Sequence, residues 1–153
     1  MPEIICRVID CHVFRLEDDE PLYLLLKRAG QVIYADSWRM VGGKIENGEK
    51  AYETALRELK EETGLKPLHF WAAPFVNNFY EASHDRINMI PVFAAEVTSE
   101  DVKLTHEHSD YQWMTYDEAL EALPWPAQQE GLRIVHEFIV AQKEVSKFVE
   151  IKI

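Results

Sequence analysis

Gly43-Lys-Ile-Glu-Asn-Gly-Glu49, followed seven residues later by Arg57-Glu58-Leu59-Lys60-Glu61-Glu62-Thr63-Gly64-Leu65, feeds a glycine turn into a helix whose end bears three near-consecutive carboxylates. At about 100° per residue, Glu58 and Glu62 lie one turn apart with Glu61 beside them, so the three acids share one narrow arc. Tyr52, Ala55, Leu56 and Leu59 fall on an adjacent arc, which can pack on a sheet while the acids face a cleft. Carboxylate oxygens suit hard divalent cations. Mg²⁺ in particular is held by a few carboxylates together with waters and substrate phosphates. The alternative, a solvated acidic face, is the ordinary reading of a charge run. It leaves like charges stacked one turn apart, which is destabilising, and gives no role to the bracketing glycines or to Arg57.

These residues satisfy every specified position of G-x5-E-x7-R-E-U-x-E-E-x-G-U, with U a bulky aliphatic residue, and so resemble the Nudix box. The match is strict over residues 43–65, and the flanking segments fit more loosely. The resemblance implies an α/β fold, a compact α/β/α sandwich with a mixed β-sheet, and a single domain over 1–153. It also implies a pyrophosphohydrolase dependent on Mg²⁺ or Mn²⁺ that cuts a diphosphate linkage. Carried over position by position, Glu58, Glu61 and Glu62 would hold the metal and Gly43 would offer its carbonyl. Arg57 would orient the glutamates, and Glu49 would brace the loop and helix.

The chain has 153 residues, of which 47% are hydrophobic, enough for one well-buried core and too short to make two domains the default. A formal net charge of −11 argues against a nucleic acid polymer as partner, because such binding rests on many Lys and Arg contacts to phosphate. Phosphate is expected to be met through metal. Cys6 and Cys11, read as five apart on one strand, suit neither a mutual disulfide nor a CxxC knuckle and are expected as buried reduced thiols. No signal-peptide pattern and no apolar run of membrane-spanning length is present, as expected of a soluble cytoplasmic protein with no membrane partner.

Residues 3–16 and 21–28, joined by the acidic turn Glu17-Asp-Asp-Glu20, read as a hairpin, and residues 68–82 and 87–98 as a second strand pair. Pro91 weakens a central placement for the latter strand, since proline cannot donate to a ladder. Thr115 and Glu118 form a capping-box signature before Ala119–Leu123, Pro124-Trp-Pro126 stops that helix, and 127 to about 143 reads as an amphipathic helix. Leu132, Val135, Phe138 and Ile139 share one of its faces. Residues 147–153 alternate like a strand that would extend the sheet or offer a homodimer edge.

Outside the box, His106-Glu107-His108 before Tyr111-Gln-Trp113 resembles a segment that brings a further glutamate to the metals in some Nudix enzymes. Glu107 is then a metal ligand or general base, against the plainer reading of a solvated loop glutamate with surface histidines. Glu61, Arg57 and Glu107 are the catalytic candidates. A zinc site at His106 and His108 lacks the partners for tetrahedral N/S ligation. Trp38, Phe79 and Tyr80 could stack a base, worth roughly 1–3 kcal/mol. Tyr80 gains from the resemblance, since dinucleoside polyphosphate hydrolases of the family tend to place a tyrosine there. Trp38 stands where many members carry a tryptophan, more often packed under the catalytic loop than on the base. Among Lys27, Arg28, Arg39, Lys44, His84 and Arg86, which could meet phosphates, Arg39 and Lys44 lie beside the catalytic loop. Substrate binding is thus assigned to Trp38, Arg39, Lys44 and Tyr80.

The expected reaction converts a nucleoside triphosphate such as dATP, or a pterin triphosphate, to monophosphate and pyrophosphate. A diadenosine polyphosphate hydrolase is the second reading. A non-catalytic nucleotide-binding module is the third, and it is weakened because no box glutamate is missing. ADP-ribose and coenzyme A are disfavoured: the downstream proline expected for the first and the leucine-threonine-arginine signature of the second are not seen.

Overall fold

The apolar runs become the strands of one mixed sheet in the computed structural model, which describes residues 1–30 and 36–153. In chain order these are β1 (Glu3–Ile5), β2 (Val8–Glu17), β3 (Glu20–Arg28), β4 (Trp38–Arg39), β5 (Val41–Lys44), β6 (His69–Glu81), β7 (Arg86–Glu96) and β8 (His108–Met114). The pairing is mostly antiparallel, with β1 and β2 parallel to β7. The β2–β3 hairpin closes through Asp18 and Asp19 at φ 52° and 66°. Such left-handed values match the twist of a two-residue hairpin turn, and Asp tolerates them better than most residues.

The first apolar run is two strands rather than one. β1 and β2 follow each other along the same edge of β7, opposite 86–88 and 92–96, with a break at Cys6-Arg7. Cys6 therefore lies outside the strands and is exposed while Cys11 is buried, which corrects the expectation of two buried thiols on one strand. Pro91 falls in the gap between β1 and β2 and beside a register shift in β6, so its missing N–H removes no rung on that edge. β7 keeps a central place despite it.

Strand alternation assigns the two faces. Ile9, Cys11 and Val13 of β2 pack with Ala55 and Leu59 of α1 (Ala51–Thr63). Phe14 on the opposite face packs with Leu132, Val135 and Ile139 of the C-terminal helical layer. That layer comprises α2 (Tyr116–Ala122) and α3 (Pro126–Ile134), the latter continuing as a wider π-helical turn over Val135–Val140. The result is the expected α/β/α sandwich. Thr115 caps α2 as its spacing foretold: its hydroxyl accepts from the Glu118 N–H, and its own N–H donates to Glu118 Oε1 at 2.9 Å. The C-terminal segment departs from expectation. A short helix α4 (Lys143–Ser146) and a 3₁₀ turn (Lys147–Val149) replace the strand, and Glu150 and Ile151 pair with β6 at Trp71 and Phe70. No described helix is long and apolar enough to cross a membrane.

One feature of the sheet makes room for a cleft. β2 pairs with β3 over 13–17 but with β5 over 8–11, so the two long strands part and β4–β5 enters the opening. Gly42 and Gly43 lie in that opening, and α1 starts seven residues after β5 ends.

Candidate functional site

Helix α1 is anchored at its C-terminus by Gly64, whose φ of 74° suits glycine and whose N–H donates to the Lys60 carbonyl at 2.9 Å. With Ala55 and Leu59 buried against the sheet, the acidic arc is turned onto β5. The Gly42 N–H donates to Glu62 Oε2 at 3.2 Å. A Cβ on Gly43 would fall within 2.7 Å of Glu58 Cγ, so a side chain there would collide with the acid.

Arg57 organises the cluster from behind. Its Nε and Nη2 donate to both oxygens of Glu49, its Nη1 to Glu58 at 2.7 Å and Glu61 at 3.1 Å, and its Nη2 to the Lys44 carbonyl. Glu49 also accepts from Thr54 and from the Glu46 N–H, tying loop to helix. These hydrogen bonds, Arg57 foremost, hold the Glu49 carboxyl down at about 2. Arg57 itself is not among the residues that line the cleft.

Glu62 is the buried member, 4% exposed, and burial pushes its carboxyl well above the ordinary carboxylate range, with the neighbouring Glu58 adding to the effect. Across from it lies His108, whose Nε2 is 3.6 Å from Glu62 Oε1. Burial, with the positive charge of Arg39, lowers this imidazole to about 4, so it is neutral at pH 7. Its Nδ1 is buried without a hydrogen-bond partner among the described residues. Placing both histidines at the surface is thus wrong for His108, because β8 begins there and turns the ring inward.

A cleft of about 1350 Å³ runs from these acids over the opposite face of the sheet to the loop at Pro124–Gln128. It brings together Gly43, Glu58, Glu61, Glu62 and Glu107 with Trp38, Arg39, Lys44 and Arg28. Tyr80 is not in it. Strand β6 alternates, so Asn77 and Phe79 face the cleft, whereas the Tyr80 hydroxyl donates to Asp85 at 2.7 Å at the hairpin tip. His84 and Arg86 are held at the same tip by Glu81.

Reading the sequence alone missed Asp10 and Asn77, which are 6% and 7% exposed on the cleft floor. The available signal was an acid inside an otherwise apolar strand, where ionised side chains are rarely buried without purpose. Desolvation raises the Asp10 carboxyl to about 6, partly offset by Arg39 and by a hydrogen bond from Asn77. Because folded Asp10 binds its proton more tightly than the unfolded chain near 3.8, its ionisation costs stability as pH rises from about 4 to about 6, and the cost is complete above that. Asp10→Asn is therefore expected to raise stability at pH 8 by about 1–3 kcal/mol and to have no such benefit at pH 4. Urea midpoints of the two proteins at both pH values measure this, and an equal difference at both would contradict it.

Among the described residues no three acidic, histidine or cysteine side chains converge on one point. The reason is visible: Arg57 draws Glu58 and Glu61 toward itself while Glu62 turns to Gly42. The donor set offered by Glu58, Glu61, Glu62 and the Gly43 carbonyl is nonetheless all oxygen, which suits a hard divalent cation.

The NUDIX domain model matches residues 7–138. The rat bis(5'-nucleosyl)-tetraphosphatase [asymmetrical] is 28% identical over 131 residues, covering 84% of this chain and 88% of its own. The Escherichia coli nucleoside triphosphatase NudI is 28% identical over 117 residues, covering 71% of this chain and 81% of its own. Among solved structures, the MutT protein of Methanosarcina mazei Go1 superposes with a TM-score of 0.71 at 28% identity, covering 89% of this chain and 96% of that one. A C. elegans Ap4A hydrolase complex reaches 0.72 at 19% identity over 88% and 97%, a likeness of fold. With a complete box, an α/β/α sandwich and a family match across most of its length, the chain belongs to the Nudix hydrolase family.

Proposed function

We propose that this chain, as a single Nudix domain, is a divalent-metal-dependent pyrophosphohydrolase that converts a nucleoside or pterin triphosphate to monophosphate and pyrophosphate. The observation that carries the reading is the layout of the cleft. Three glutamates and three cationic side chains, Arg28, Arg39 and Lys44, share one end of it, and Trp38 and Phe79 line it as well. Glu58, Glu61, Glu62 and the Gly43 carbonyl would hold Mg²⁺ or Mn²⁺. Bound there, the cation would lower the pKa of a water and offset the charge on the departing phosphate.

The chain's own groups do the rest. Arg57 aims Glu58 and Glu61 by donating to both from Nη1, a supporting role whose loss typically costs 10–100-fold in activity or metal affinity. Glu107 lines the same cleft and is placed to take the proton of the attacking water. Arg39 and Lys44 meet the phosphate oxygens that the cation leaves free. The rat tetraphosphatase similarity favours diadenosine polyphosphates as the second reading. Tyr80, the aromatic that would have supported it, lies outside the cleft.

Incubating the protein with dATP, GTP, dihydroneopterin triphosphate, diadenosine tetraphosphate and ADP-ribose, with Mg²⁺ or chelator, and resolving the products by chromatography tests this. Pyrophosphate and a monophosphate from one triphosphate, abolished by chelator, are expected. ATP released from diadenosine tetraphosphate would establish the second reading instead, and no turnover with either Mg²⁺ or Mn²⁺ would contradict both.

A further inference from the structure

We infer that Asp10 and Asn77 read the base, and that they select a ring presenting an N–H beside an exocyclic amino group, the edge shared by guanine and pterin. The inference deepens the proposed triphosphate hydrolysis and rests on that reading for the orientation of the substrate in the cleft.

Asp10 lies on β2 opposite Gly42, one residue from the Gly43–Glu58 contact, but its side chain is on the other face of the sheet from α1. The cleft is lined both by Glu58, Glu61 and Glu62 of α1 and by Asp10, Asn77 and Phe79, whose side chains lie on the other face of the sheet. A ligand with its phosphates at the acidic end therefore extends its ring toward Asp10. Phe79, Ile90 and Trp38 on the sheet side and Trp125 on the facing loop supply apolar and aromatic surface around that position, suited to the π-face of a planar ring.

Asp10 has no cation at ion-pair distance among the described residues, and the hydrogen bond from Asn77 occupies only part of its accepting capacity. A carboxylate has two oxygens and no donor. It is satisfied in the plane of a base by two adjacent N–H groups. Guanine and pterin offer such a pair. Adenine and cytosine place an acceptor nitrogen beside their amino group, so one carboxylate oxygen would face a lone pair. Uracil offers a single N–H flanked by carbonyl oxygens. A phosphate in this position would be repelled outright. The buried acid thus discriminates by leaving the wrong edge unpaired, the situation in which a polar site rejects analogues most strongly.

Binding of GMP, IMP and AMP, followed by tryptophan fluorescence at pH 8 without metal, tests the inference independently of turnover. IMP differs from GMP only in lacking the 2-amino group. GMP is expected to bind at least about tenfold more tightly than IMP or AMP. In Asp10→Asn that gap is expected to close to within about twofold, with the far-ultraviolet circular dichroism of the folded chain retained. Equal affinities in the native protein, or a gap that survives in Asp10→Asn, would overturn it. Should the variant not fold, the GMP-to-IMP ratio of the native protein decides alone. Metal-dependent hydrolysis without base preference would overturn only the base reading, and base preference without hydrolysis only the proposed activity.

Discussion

Glu62→Gln is expected to lower kcat/KM by about 10²-fold or more while leaving the melting temperature within a few degrees of the native value. The side chain is 4% exposed and accepts the Gly42 N–H, a bond the isosteric amide oxygen keeps, so no cavity opens and no donor is orphaned. What disappears is the charge that a hard cation needs. Because removing a group that merely supports a metal ligand already costs 10–100-fold, a ligand itself should cost at least the upper part of that range. Steady-state kinetics beside thermal unfolding measure both quantities. Activity lost together with the folded signal would refute the separation of roles.

Leu59→Ala, three residues earlier on the same helix, should do the reverse. Leu59 is fully buried and packs in the cluster with Ile9, Val13, Leu24, Phe70 and Phe93. Truncating a buried leucine costs about 2–5 kcal/mol through lost transfer energy and the cavity left behind. For a chain of this length that is a fall of roughly 5–15 °C in melting temperature. Below the transition, the protein that remains folded should turn over nearly as the native protein does, since no cleft group is altered. A variant with native stability would show that α1 is not anchored as described.

The two substitutions address the acidic and the buried arcs of one helix, and that division of faces was legible from spacing alone. The 3.6-residue period fixes which residues share a face, and the acids and leucines of α1 occupy adjacent arcs as read. Caps and turns were equally readable at Gly64, Thr115 and Asp18-Asp19, because each rests on local backbone chemistry. What escaped was set by long-range pairing. The break at Cys6-Arg7 exists because β7 receives β1 and β2 in succession, which no local pattern records. Alternation along β6 separated Phe79 from Tyr80 without saying which of them faced the cleft. The tail alternated like a strand, yet a short helix and a 3₁₀ turn take its place, with backbone pairing to β6 at Glu150 and Ile151. Asp10, Asn77 and His108 come from three different strands and meet the cleft only once the sheet is assembled.

The direct test of the account is whether the acidic end of the cleft holds a divalent ion through the α1 carboxylates. Titrating Mn²⁺ into the native protein and into Glu62→Gln, with free ion followed by electron paramagnetic resonance, measures it. A bound ion is expected in the native protein, with at least about tenfold weaker binding in the variant. Equal binding by the two proteins, or no binding by either in the presence of a nucleotide, would contradict it.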